Sequence, residues 1–101
     1  MTTQTLSVAK EILSQLGGNR FIAMTGARNL AAGKNYITFK IMRNASKITH
    51  VKIALNGLDL YDITFYRVHG TSLKVIEEVN NAYCDMLQSV FTSRTGLNTS
   101  L

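Results

Sequence analysis

Between Tyr36 and Phe65 apolar residues recur at every second position. Ile37, Phe39 and Ile41 alternate with Tyr36, Thr38, Lys40 and Met42, and Val51, Ile53 and Leu55 alternate with His50, Lys52 and Ala54. A period of two sends successive side chains to opposite faces of a sheet, so the pattern predicts two half-buried strands. The polar run Arg43-Asn44-Ala45-Ser46-Lys47 joins them as a hairpin loop. Pairing Lys40 opposite Lys52, with Ala45-Ser46-Lys47 as the loop, keeps both apolar sets on one face; a slip of two residues keeps them there as well. Asn56-Gly57 is a turn signal because both residues tolerate positive φ. Leu58 to Asp62 breaks the alternation, and Ile63 to Val68 predicts a further strand that Gly70 stops.

Upstream the period changes. Leu6, Ala9, Ile12, Leu13 and Leu16 lie three and four apart, which predicts an amphipathic helix over 4–16 with Thr3 or Thr5 as cap and Gly17-Gly18 as its end. Arg20 to Thr25 is apolar on both faces of an extended reading and predicts a strand closed by Gly26. Residues 26–35, rich in small residues and with Arg28 and Lys34 as the only charges, predict a long loop, either a mobile ligand-facing segment or a long hairpin connection. Downstream, residues 72–79 fit a strand or the start of one long helix. Asn80-Asn81 favours a boundary there, which predicts a final strand near 72–78 and a helix over about 82–94 ended by Gly96, with Leu97 able to pin the tail.

Helix, several strands, helix, with antiparallel hairpins between, is an α+β pattern: a single domain over 1–101, with an antiparallel sheet of four to five strands and an N-terminal and a C-terminal helix packed on one face. Its expected core is the helical stripes against Ile37, Phe39, Ile41, Val51, Ile53 and Phe65. With 101 residues, 46% hydrophobic and 17% charged, there is room for one small core, and neither disorder nor a coiled coil is favoured.

The chain has no proline, so its turns rely on Gly and Asn, and it has one cysteine, Cys84. A lone thiol makes no internal disulfide and fits a reducing compartment. No positive cluster opens the chain and no apolar run approaches a membrane span, so the expected setting is cytoplasmic, with no membrane partner. The sequons at Asn44 and Asn98 carry no weight in that setting.

Charge sharpens the picture. The net charge is +5, but Ile12 to Leu58 holds seven basic residues and no acid, whereas the remainder holds four basic and six acidic residues. Such a split points to an acidic partner for the first half, set against an ordinary solvated surface on a basic protein.

Catalytic chemistry finds little support. Gly33-Lys34 resembles part of a phosphate-binding loop, but Gly26 is too far upstream, Asn35 stands where a metal-binding hydroxyl belongs, and a strand follows instead of a helix. His50 and His69 could act as bases and Cys84 as a nucleophile, yet nothing in the sequence brings them together. Asp59 and Asp62 could hold a metal but lack a third ligand at a recognisable spacing, and turn-capping is the commoner use of such residues. Glu77-Glu78 reads as a solvated edge. No cofactor is implied, and the expectation is a non-enzymatic protein.

The outer sheet face is the stronger candidate. Tyr36, Thr38, Lys40, Met42, His50 and Lys52 would share it, with Arg43 and Lys47 at the hairpin tip and Arg28 and Lys34 supplied by the long loop. Like charges opposite one another on a sheet cost stability, so Lys40 facing Lys52 is easier to understand if an anion neutralises them. Phosphate is the obvious anion, and Tyr36 or Tyr66 could stack on a base. The competing reading is a lysine-decorated face that stays wet and resists edge aggregation.

The run Ile12 to Ala27, the segment Leu55-Asn-Gly-Leu-Asp-Leu-Tyr-Asp62 and the ending Arg94-Thr-Gly-Leu97 together resemble small proteins of bacteriophages and prophages for which no active site is assigned. The resemblance implies a phage product acting in a bacterial cytoplasm, where short basic proteins bind nucleic acid or block a host defence complex. Two expectations follow: a nucleic-acid-binding module, or an inhibitor or adaptor that contacts an acidic host protein. A homodimer through a strand edge would extend the basic face.

Overall fold

The computed structural model describes residues 3–44 and 46–97, the side chains of residues 3–7 and 9 excepted. The side chains of the expected caps Thr3 and Thr5 and of the apolar positions Leu6 and Ala9, loop residue Ala45, the sequon at Asn98 and the tail beyond Leu97 fall outside that description. Two helices, α1 (Thr3–Leu16) and α2 (Asn19–Thr25), precede five strands: β1 (Arg28–Ala32), β2 (Tyr36–Lys40), β3 (His50–Leu55), β4 (Tyr61–His69) and β5 (Ser72–Ala82). A 3-10 turn (Cys84–Met86) then leads into α3 (Leu87–Thr95). The strands form one antiparallel sheet in the order β1-β2-β3-β4-β5, each paired with its neighbour in sequence. Hairpins suffice for such a path, the longest being the β2–β3 connection over residues 41–49.

The alternation over β2, β3 and β4 has the expected result. Ile37, Phe39, Val51, Ile53, Ile63 and Phe65 are all buried, and Ile12 and Leu16 of α1, Phe21 of α2, and Leu87 and Phe91 of α3 cover them from the same side. Phe21, Phe39 and Phe91 pack as a triad, with ring centroids 5.4 Å apart between Phe21 and Phe39 and 5.1 Å apart between Phe21 and Phe91, both edge-to-face. That geometry sets the positive edge of one ring against the negative face of the next, adding about 1 kcal/mol per pair to the burial itself. The triad ties α2, β2 and α3 together, and among the described residues no helix packs on the opposite sheet face.

Residues 19–25 form a helix where two-sided apolarity predicts a strand. In a strand Phe21, Ala23 and Thr25 would share a face, but Phe21 and Thr25 are buried while Ala23 between them is exposed, which is a four-residue period. Thr25 Oγ1 donates to the Phe21 carbonyl at 2.8 Å, so the buried hydroxyl is satisfied within the helix. Gly26, in the left-handed conformation at φ 67°, ends the helix, and its N–H donates to the Ile22 carbonyl.

The expected loop over 26–35 holds β1. All five of its residues are exposed, because an edge strand outside the core gives no alternating signal to read. A bulge lies between Arg28 and Ala31, with Asn29 at φ 55°. At the other edge β5 runs to Ala82, four residues beyond the expected strand, with only Val79 half-buried and Ala82 buried along its length. α3 ends at Gly96 (φ 78°) as expected, and Leu97 packs against the core.

The β2–β3 register also departs from expectation. Lys40 pairs with His50 and Lys52 with Thr38, two residues from the predicted pairing of Lys40 with Lys52. The same faces are preserved, and the loop is longer. Asn44 organises it: the Nδ2 group donates to the carbonyls of Met42 (3.0 Å) and Ile48 (2.7 Å), and Oδ1 accepts from the Ile48 N–H. Ile41 and Ile48 are then buried beyond the strand ends. β2 ends at Lys40, so Met42 leaves the outer face: its N–H donates to the Thr25 carbonyl, and its side chain lies against Gly26.

Candidate anionic-ligand interface

The antiparallel register assigns each outer-face residue a row across the sheet. One row runs Arg28, Lys40, His50, Tyr66, Val75, and the next runs Ala31, Thr38, Lys52, Thr64, Glu78. Direct cross-strand partners have Cβ atoms about 5 Å apart, so Arg28 and Lys40 are two cations in immediate juxtaposition. Arg67 and Lys74 are a second such pair, between β4 and β5 at the same end of the sheet but on its other face, the one that carries Ile63 and Phe65. The expected clash of Lys40 with Lys52 is thus replaced by two others.

The loop that Asn44 shapes folds over this end and closes a cleft of about 610 Å³. Five cations line it: Arg28 from β1, Lys40 from β2, Arg43 and Lys47 from the loop, and Arg67 from β4. Among the described residues no carboxylate shares that lining. Ile41, Ile48 and Thr49 form the rest of the wall with Asn44. Lys47 adopts φ 62°, a left-handed conformation uncommon for a residue with a Cβ. Two smaller clefts continue the basic surface through shared residues. One holds Lys47, Arg67 and Lys74 beside Val75 and Ile76, and the other holds Arg67, His69 and Lys74.

Of the residues singled out from the sequence, Arg28, Lys40, Arg43 and Lys47 therefore meet in one cleft. His50 adjoins them on the sheet face. Its Nδ1 is 2.8 Å from Thr49 Oγ1, its ring lies near-parallel to that of Tyr66 at 17° and 5.5 Å, and burial, then the Lys40 ammonium, holds it below the ordinary imidazole value. Burial also raises the Tyr66 phenol above its usual range.

Tyr36, Lys52 and Lys34 do not line the cleft. Lys52 Nζ sits over the Tyr36 ring, 4.7 Å from its centroid, and a Cβ at Gly33 would fall inside that ring. Tyr36 is thereby engaged by Lys52 and the Gly33 backbone, a cation–π contact worth about 0.5–1 kcal/mol at an exposed site. Lys34 lies in the β1–β2 turn, at the other end of the sheet.

Arg67 and Lys74 were hidden from the sequence reading by their acidic surroundings in the second half of the chain. Counting back from the Asn56-Gly57 turn would have found Arg67, since a β3–β4 hairpin through that turn carries it to the Lys40 end. The candidate catalytic set is dispersed. His50 and His69 belong to the cation-rich end, whereas Cys84 follows Ala82, which pairs with Tyr61 at the far end of β4. Along β4 that places His50 roughly 17 Å and His69 roughly 25 Å from the Cys84 end. Asp62 is held by hydrogen bonds from Asn56 Nδ2 and the Asn81 N–H, both 3.1 Å. Among the described residues no group of three His, Cys, Asp or Glu could hold a metal ion, and no helix is long and apolar enough to cross a membrane. Comparison with protein-family models, with curated proteins and with solved structures finds no match.

Proposed function

We propose that this protein is a non-enzymatic binding module that takes nucleic acid by its phosphates in the cleft at the β2–β3 hairpin end. The observation that carries this reading is the convergence of Arg28, Lys40, Arg43, Lys47 and Arg67 from four separate segments on one concavity. Cations so crowded repel one another, and Arg28 opposite Lys40 costs on the order of 0.5 kcal/mol until an anion lies between them. A polyanion offers several phosphates at once, and each one neutralised releases condensed counterions. On this reading the setting is the cytoplasm of a bacterial host, as for the phage proteins the sequence resembles.

The test is affinity for single-stranded and duplex nucleic acid across a salt series. Micromolar or tighter binding at about 50 mM salt is expected, with log K falling against log salt at a slope of roughly −3 for single strands or roughly −4 for duplex if four or five phosphates are engaged. No binding at low salt overturns the reading. One stoichiometric protein partner captured from nuclease-treated bacterial lysate, competing for the same cleft, would replace it with the inhibitor or adaptor reading. Self-association through β5 would show as a dimer in sedimentation.

A further inference from the structure

The basic cleft does not end in more charge. Along the row that begins with Arg28 and Lys40, the next positions are His50, Tyr66 and Val75, so the outer face changes from cationic to aromatic to apolar within roughly 19 Å. Val75 is 52% exposed, and Leu73, opposite Val68 on the same face, is 62% exposed. A smaller cleft at this end is lined by Lys47, Arg67, Lys74, Val75 and Ile76, with Arg67 and Lys74 on the Phe65 face of the sheet and Val75 on the Tyr66 face. On the outer face Arg28 and Lys40 are therefore followed across the sheet by aromatic and then apolar surface, and among the described residues no helix covers that face.

A duplex makes little use of the second half of that surface, because the faces of its bases are stacked inside and only their edges line the grooves. A single strand presents phosphates on one side and unstacked bases on the other, and needs both kinds of surface side by side. We infer that the ligand is single-stranded nucleic acid, its phosphates held by Arg28, Lys40 and the hairpin-tip cations and its bases laid against Tyr66 and Val75. This rests on the nucleic-acid reading above and adds strandedness and orientation to it. Tyr36, engaged by Lys52 and Gly33, lies off this row, whereas Tyr66 lies on it between His50 and Val75 and is the stacking residue. The sheet is wide enough for a site on the order of four nucleotides.

The experiment measures binding of a deoxythymidine oligomer, a uridine oligomer and a duplex to the wild-type chain and to Val75→Lys, Tyr66→Leu and Tyr66→Phe, with circular dichroism to verify folding. Val75→Lys separates the two levels of inference because it adds a cation while removing apolar surface. Single strands are expected to bind at least about tenfold tighter than duplex, and Val75→Lys and Tyr66→Leu to weaken single-strand binding by about tenfold each, with Tyr66→Phe near wild type. The deoxythymidine and uridine arms tell DNA from RNA. Equal affinity for duplex together with tighter binding by Val75→Lys overturns the single-strand inference and leaves the phosphate cleft standing. A wild-type dimer that Val75→Lys converts to monomer, with single-strand affinity unchanged, overturns it too, by showing that the apolar strip joins two β5 edges. Absence of binding to all three at about 50 mM salt removes the underlying reading as well.

Discussion

At the end of the sheet where β3 turns into β4, polar groups satisfy one another; at the opposite end, cations face each other. Asn56 is the centre of the first. Its Oδ1 accepts from the N–H groups of Leu58 (2.8 Å) and Leu60 (3.2 Å), and its Nδ2 donates to Asp62 and to Asn81 Oδ1 (2.9 Å). Asp59 and Asn81 reach φ 60° and 59° nearby, strained positions that this network holds. At the other end Arg28 opposes Lys40, Arg67 opposes Lys74, and Arg43 and Lys47 are added by the loop. The salt bridge seen there, Glu77 with Arg94, lies outside the cleft lining. Charge concentrated without internal partners does not serve the fold, whereas a closed hydrogen-bond network does. The contrast separates a structural end from a binding end.

Reversing the charge of the binding end should have the largest effect. Arg43→Glu combined with Lys47→Glu is expected to weaken polyanion binding on the order of a hundredfold at about 100 mM salt, and to leave thermal stability within about 0.5 kcal/mol of wild type. Titration calorimetry and thermal melts check it together. A large loss of stability would mean that these cations hold the fold, and the contrast would collapse.

The structural end should respond the other way. Asn56→Ala leaves the Leu58 and Leu60 N–H groups and the Asp62 carboxylate short of partners, which costs about 2 kcal/mol and about 10 °C in melting temperature for a chain of this size. Affinity for a polyanion, measured below the melting transition, should stay at the wild-type value. A variant as stable as wild type would show that water replaces the side chain and that this end is ordinary surface.

The smallest effect is a pH dependence. Burial and then Lys40 on β2 depress the His50 imidazole, with Thr49 and Tyr66 its other neighbours. A depressed folded value means that the unfolded chain takes up the proton first. The stability linked to His50 is therefore complete above the ordinary imidazole value, near pH 6.5, and is lost as pH falls through the lower folded value. Binding has the opposite sign, since a phosphate beside the ring favours the imidazolium, so affinity should rise a few-fold between about pH 7.5 and 5.5. His50→Gln should flatten both profiles. A wild-type affinity that does not vary over that window would place the anion away from the sheet face, in the loop cleft alone.

The alternation of Ile37, Phe39, Val51, Ile53 and Phe65 with polar neighbours was enough to determine the central strands and which of their faces is buried, because a period of two has only one way to hide its apolar set. The helical spacing of Ile12 and Leu16 and the stop at Gly96 were legible for the same kind of reason. So were Arg28, Lys40, Arg43 and Lys47 as candidate site residues, from the run of basic residues without an acid. Tertiary structure decided the rest. Residues 19–25 became a helix because Phe21 had to meet Phe39 and Phe91, a long-range contact that local apolarity does not encode. β1 and β5 are exposed along almost their whole length, and a strand outside the core leaves no period to read. The β2–β3 register was settled by Asn44 and the burial of Ile48, which lengthened the loop, moved Lys40 from Lys52 to His50, and set Arg43 and Lys47 over a cleft whose fifth cation, Arg67, comes from the acidic half of the chain.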